Sequence, residues 1–134
     1  MTTTTLQLGP AHRDADTERF YAATARRDFP ICTCQRCGAV GGPQETQCHA
    51  CGATSLTWSA ASGAAVLRSW VVLHRPSPEG ATTRVVVAIG ELAEGPWWWA
   101  QVAGADPDRL VDGQPLSIDF APAGAELLPF FRLG

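Results

Sequence analysis

The sequence predicts a mainly β protein in three parts: a short N-terminal helix, a metal-clasped ribbon and a small barrel. Three observations carry this. Two Cys-x-x-Cys pairs stand within residues 34–52, each followed directly by glycine. Downstream, four β-rich runs are separated by clusters of Pro, Gly, Asp and Ser. Upstream, one stretch, DTERFYAATARRD, carries capping residues at its start and arginines at its end.

Composition sets the outer bounds. A chain of 134 residues holds one compact domain, or one small domain with an appendage. Apolar residues make up 46%, enough for a modest core. The formal net charge is −3, whereas a protein gripping phosphates is normally basic. All ten basic side chains are arginine, so the chain offers no lysine amine for a Schiff base. The start, MTTTTLQLGP, shows neither a basic nor a long apolar leader region. The longest apolar stretch, AAVLRSWVVL, is short and holds Arg68, so no membrane span is expected. The expected compartment is the cytoplasm, where thiols stay reduced. Five cysteines is also an odd number for a disulfide framework.

The parts follow in order. Residues 1–15 are polar and Thr-rich, and are expected to be mobile. Residues 16–30 hold the helix, with Asp16 or Thr17 as its cap and Arg26 and Arg27 suiting its C-terminal dipole. Phe20 with Ala23 or Thr24 would form its inner face. Residues 31–57 form the ribbon. Residues 58–134 form the barrel, with strands at AAVLRSWVVLH, TRVVVAIGEL, PWWWAQVAG and PLSIDFAP. In the last, Leu116, Ile118 and Phe120 would face inward, with Ser117 and Asp119 outward. The linker GADPDRLVDGQP holds a turn and one helical turn. Four or five short strands after a ribbon fit an OB-fold, the commonest small barrel of this kind.

The cysteines carry the clearest chemistry. A Cys-x-x-Cys turn puts two thiolates on one side of a tight loop, and the following glycine permits a positive φ. Two such knuckles facing each other give tetrahedral S4 coordination by Cys34, Cys37, Cys48 and Cys51, a donor set that suits Zn2+. Four protein ligands leave no open position, so the expected role is structural. Rubredoxin-like iron for electron transfer uses the same ligands and remains the alternative. Cys32 breaks the knuckle spacing and reads as a packed residue. His49 lies inside the second knuckle and is expected to point outward.

On a strand, Trp97 and Trp99 point one way and Trp98 the other. A small barrel cannot take both faces, so at least one indole lies outside it, against this chain or a partner. His74 and Arg75 end the first barrel strand, where Arg75 could meet a phosphate or a carboxylate. The tail ELLPFFRLG exposes Phe130 and Phe131 unless the barrel or a partner covers them. No nucleophile–base pair stands out, and the three histidines lie in unrelated segments.

Taken together, RFYAATARRD, the double knuckle, Trp58, Gly63, SWVVLHRP and DPDRLVDGQPL resemble the domain-of-unknown-function 35 family over residues 16–132. The resemblance implies a helix, a rubredoxin-like zinc ribbon and an OB-fold. It implies a non-catalytic accessory subunit of a hetero-oligomer, beside a thiolase-fold (lipid-transfer-protein-like) aldolase or a thiolase. The substrate would be an acyl-CoA, with steroid side-chain CoA thioesters within the family's range. Trp97, Trp98, Trp99, His74, Arg75, Phe130 and Phe131 are the expected contacts to partner or acyl-CoA. Two departures stand out. Gly42-Pro43-Gln44-Glu45 replaces an aromatic-Pro-Pro-Arg run, and the Trp run replaces smaller apolar residues. A nucleic-acid-binding ribbon–barrel module is the rival from another class; the acidic balance and the lack of lysine weigh against it.

Overall fold

The computed structural model describes residues 6–76 and 78–134. Helix α1 spans Glu18–Ala25. Strands β1 (Pro30–Cys34), β2 (Val40–Gly41) and β3 (Leu56–Ala60) form an antiparallel sheet in the order β2-β1-β3. Strands β4 (Ala64–Pro76), β5 (Thr82–Leu92), β6 (Trp97–Gln101), β7 (Pro115–Ala123) and β8 (Glu126–Leu133) form a second sheet in the order β6-β5-β4-β7-β8. The second sheet curls until its ends meet. Val102 bridges Phe131 in parallel, and the Ala103 amide donates to the Phe131 carbonyl at 2.9 Å. A closed five-strand barrel with this Greek-key order is an OB-fold, as the strand count predicted.

The helix starts where its sequence indicates, but its capping bonds come from an earlier residue. Thr17 occupies the N-cap position but makes no side-chain cap bond. Asp14 does the work instead: its Oδ1 accepts from the amides of Asp16 and Thr17, each at 2.9 Å. At the other end Arg26 donates to the Ala22 carbonyl at 3.0 Å, which suits a cation at a helix C-terminus. Arg27 sits in the left-handed region at φ 60, a conformation costly for a non-glycine residue. Its guanidinium reaches Asp119 at 3.5 Å and so ties the helix end to the barrel. Tyr21, Ala23 and Thr24 are buried, and Phe20 packs on the core beside them.

Three further differences from the sequence reading have physical causes. The segment before the helix is bonded to the barrel from Gln7 onward. Gln7 and Gln101 exchange two hydrogen bonds of 2.8 Å, the Ala11 amide donates to the Ala123 carbonyl, and Arg13 grips Glu126. Residues 1–5 lie outside the described residues. Strand β3 pairs with β1 as far as Pro30 opposite Ala60, so the small sheet runs three residues past the expected boundary at 57. The tail is the fifth barrel strand, paired with β7 from Leu116–Leu133 to Ala123–Glu126.

That pairing corrects the expectation for Phe130 and Phe131. Both are buried, at 3% and 0% exposure, and the barrel itself covers them. Phe131 lies with Leu67, Val86, Ala88, Leu92 and Val102 in the centre of the core. Leu116 joins them, and Ile118 and Phe120 pack on the same cluster, as their alternation predicted. The linker after β6 forms one 3-10 turn, Pro107–Arg109, capped by Asp106.

Gly90 shows how tightly this core closes. A Cβ placed there would lie 2.8 Å from Phe131 Cζ, closer than real side chains approach. The ring is fully buried and cannot retreat without disturbing its neighbours. Gly90→Ala is therefore expected to destabilise the fold by about 1–3 kcal/mol, despite the entropy alanine removes from the unfolded chain. Urea unfolding of the two proteins checks this as a fall in midpoint at unchanged slope.

Candidate metal centre and apolar cleft

Strand β1 delivers Cys34 at its last residue, and the turn after it brings Cys37 back alongside. The second knuckle repeats the device. The Gly38 amide donates to the Cys34 carbonyl and the Gly52 amide to the Cys48 carbonyl, both at 2.9 Å. Both glycines hold positive φ, 80 and 79, as the knuckle reading requires. The four sulfurs lie within 4.8 Å of one another. Cys34 Sγ is 3.6 Å from Cys51 Sγ, and Cys37 Sγ is 3.5 Å from Cys48 Sγ. These separations are far too long for disulfides. They fit a tetrahedron around a metal, whose sulfur–sulfur edges are about 3.8 Å when the metal–sulfur bonds are about 2.3 Å. The cluster can therefore hold a metal ion, and all four corners are protein thiols.

The local electrostatics prepare the sulfurs for a cation. The Cys37 amide works against burial and, with the Arg36 amide, holds the Cys34 thiol down to about 6. The Cys51 and Ala50 amides lower Cys48 in the same way. The Ala53 amide pulls Cys51 down, but burial and its three sulfur neighbours outweigh it, and that thiol is pushed up to about 12. Cys37 is raised by Cys48 and burial against the Ala39 amide. Each short contact thus joins a readily ionised thiol to a reluctant one. A bound cation replaces the remaining protons and relieves the reluctance.

The two neighbours fall where the sequence placed them. Cys32 is buried on β1 outside the cluster, its Sγ 3.9 Å from the Gly42 carbonyl, and burial raises its thiol. His49 is exposed and points away from the sulfurs, with Nδ1 2.9 Å from Glu45 Oε1.

A cleft of about 750 Å³ is lined by residues of the N-terminal segment, the helix, the ribbon and the barrel. Leu8 of the N-terminal segment and Phe20 and Tyr21 of α1 form one wall. Pro43, Gln44 and Thr46, from the loop between the knuckles, form a second. The floor is barrel sheet, with Leu73, Val87 and Trp99 from its outer face and Trp98 from the other face of β6. Trp98 anchors this junction, its ring centroid 5.3 Å from Phe29 and 6.0 Å from Phe20.

Of the contacts expected from the sequence, the cleft brings together Arg75, Trp98 and Trp99. His74 is exposed outside it. Trp97 and Trp99 are exposed at 57% and 69%, on the face opposite Trp98. They continue an apolar strip with Ile89, which pairs with Trp99, and with Val71 and Leu73 on β4. The sequence reading missed Leu8, Tyr21 and the loop residues Pro43, Gln44 and Thr46 as cleft walls. Their only signal was the apolar character of Leu8 and Tyr21, since nothing in the spacing places such distant segments side by side.

Cys37→Ser is expected to reduce bound metal from one ion per chain to near zero and to unfold the ribbon, because structural binding supplies about 10–16 kcal/mol of folding energy. Cys32→Ser is expected to keep its metal. Metal analysis of the purified variants, with circular dichroism, checks both.

The comparisons with known proteins agree with this architecture. The family model described as the C-terminal OB-fold domain of ChsH2 matches residues 58–121. A probable enoyl-CoA hydratase alpha subunit of Thermomonospora curvata is 30% identical over 118 residues, which cover 87% of this chain and 37% of that protein. A 3-oxo-4,17-pregnadiene-20-carboxyl-CoA hydratase alpha subunit of Mycobacterium tuberculosis is 37% identical over 68 residues, 48% of this chain and 22% of that protein. The chain thus spans about a third or less of the length of these curated relatives. A chain of the solved Ltp2-ChsH2(DUF35) aldolase superposes with a TM-score of 0.78 at 27% identity, over 92% of this chain and 98% of that one. A protein of unknown function from the DUF35 family of Sulfolobus solfataricus shares the fold, with a TM-score of 0.65 at 13% identity over 90% and 86% of the two chains. The family model and the two solved relatives together support assignment of the chain to the domain-of-unknown-function 35 family.

Proposed function

We propose that this chain is a non-catalytic accessory subunit. It docks on a thiolase-fold aldolase or thiolase and helps to position an acyl-CoA substrate, with steroid side-chain CoA thioesters as the favoured class. The observation that carries this reading is the uncovered apolar strip of Val71, Leu73, Ile89, Trp97 and Trp99, running up to the mouth of the cleft. Exposed indoles side by side on a rigid strand are typical of binding hot spots. Arg75, exposed and lining the same cleft, suits a carboxylate of the partner or a phosphate of CoA. The relatives support the class: two are named as alpha subunits of CoA hydratases, and one as a component of an aldolase.

The metal in this reading is structural zinc. Four thiolates close the coordination sphere, so the ion has no corner left for water or substrate. The chemistry then belongs to the partner. Among the described residues, no helix is long and apolar enough to cross a membrane. The reading places the assembly in the cytoplasm.

Co-expression with a thiolase-fold enzyme encoded nearby tests the proposal. The two chains should co-purify, and Trp97→Ala with Trp99→Ala should weaken their complex by at least tenfold, about 1.4 kcal/mol or more. A partner that is fully active alone and indifferent to this chain overturns it. A coloured protein containing iron instead of zinc would favour the electron-carrier alternative.

A further inference from the structure

We infer that the cleft holds the fused-ring hydrocarbon body of the acyl group and leaves the nucleotide end of CoA outside this subunit. The inference rests on the accessory-subunit reading and names which part of the substrate the cleft takes. Volume comes first. About 750 Å³ lies within the range of small-molecule sites and is ample for a rigid four-ring body.

Charge decides between the two ends of an acyl-CoA. The nucleotide end carries several phosphate charges and calls for several cations. The cleft is lined by one cation, Arg75, and one carboxylate, Asp16, so its ionic side chains cancel. An uncharged body meets no such mismatch.

The lining then favours a flat, stiff ligand. Phe20 and Tyr21 approach from the helix, and Trp98 and Trp99 from β6, so aromatic surface comes from two separate elements. The Phe20 ring lies 6.0 Å from Trp98 and 5.2 Å from Tyr21, and Trp98 is held in turn by Phe29. These rings are set before a ligand arrives. A fused-ring body brings little conformational entropy to lose, whereas a flexible chain must be ordered on binding. Gln101 lines the cleft too, but its amide is already engaged on both sides by Gln7. It therefore favours no additional polar ligand group there.

Titration of the purified, metal-loaded full chain tests this, read by tryptophan emission, with lithocholate, hexadecanoate and free coenzyme A as probes. Lithocholate should saturate, hexadecanoate should bind at least tenfold more weakly, and coenzyme A should give no saturable change. Leu73→Ala and Val87→Ala, two lining positions on the outer face of the barrel, should each weaken lithocholate by about tenfold or more, the cost of losing one well-packed apolar contact. Arg109→Ala, on the 3-10 turn and outside the lining, should leave it unchanged. Metal content and circular dichroism identify any variant that fails to fold; the other lining variant then carries the test. Saturable binding of coenzyme A that the lining variants weaken overturns the inference. So does hexadecanoate binding as tightly as lithocholate, or the absence of saturable lithocholate binding. Because the partner complex is read separately by co-purification, these outcomes can sink the inference while the accessory-subunit reading stands.

Discussion

The convergence of four sulfurs at the end of β1 is the constraint on which the rest of the molecule depends. It fixes more than a loop. Strand β1 carries Cys34 at one end and Ile31 in the core near the other, so the cluster and the barrel core share one short strand. The loop between the knuckles is held by the same cluster and by contacts of its own. Glu45 bonds His49 and lies against Gly41, where an added Cβ would come within 2.7 Å of the carboxyl carbon. This loop then presents Pro43, Gln44 and Thr46 to the cleft. A metal with no open coordination position can thus shape the cleft without lining it.

A second joint links the parts where sulfur does not reach. Phe20 of the helix, Phe29 ahead of β1 and Trp98 of β6 form one aromatic cluster. Such ring pairs contribute about 0.5–1.5 kcal/mol each beyond the area they bury. Their consequence for function is geometric. Once Trp98 turns inward to this cluster, strand alternation sends Trp97 and Trp99 outward onto a surface the described residues leave exposed. Packing on one side of β6 therefore creates the exposed strip on the other. The Arg27–Asp119 pair adds a polar tie between helix and barrel, and Arg132, 2.6 Å from Asp119, holds that carboxyl below its usual range.

Much of this was legible in the residues, for identifiable reasons. The knuckle cysteines announce themselves because metal geometry demands a fixed local spacing. The strands from β4 to β7 are bounded by turn residues, and the opposite faces of the Trp run follow from a period of two. The tail was harder. ELLPFFRLG has adjacent apolar residues and a proline, with no alternation to mark a strand, because Phe130 and Phe131 are both buried. Asp14 was passed over because it caps from three residues ahead of the N-cap position. The cleft was not legible at all. Its walls come from Leu8, α1, the inter-knuckle loop and four barrel strands, and only the closed fold makes them neighbours.

The central claim is that a sulfur-held ion organises the ribbon and, through it, the cleft, while offering no reactive position itself. Hydrogen–deuterium exchange of the metal-loaded chain before and after chelation tests it most directly. The account predicts lost protection in residues 34–52 together with weakened protection in α1 and β6, with the strands of the barrel core retained. Exchange that changes only within the knuckles, or not at all, would contradict it.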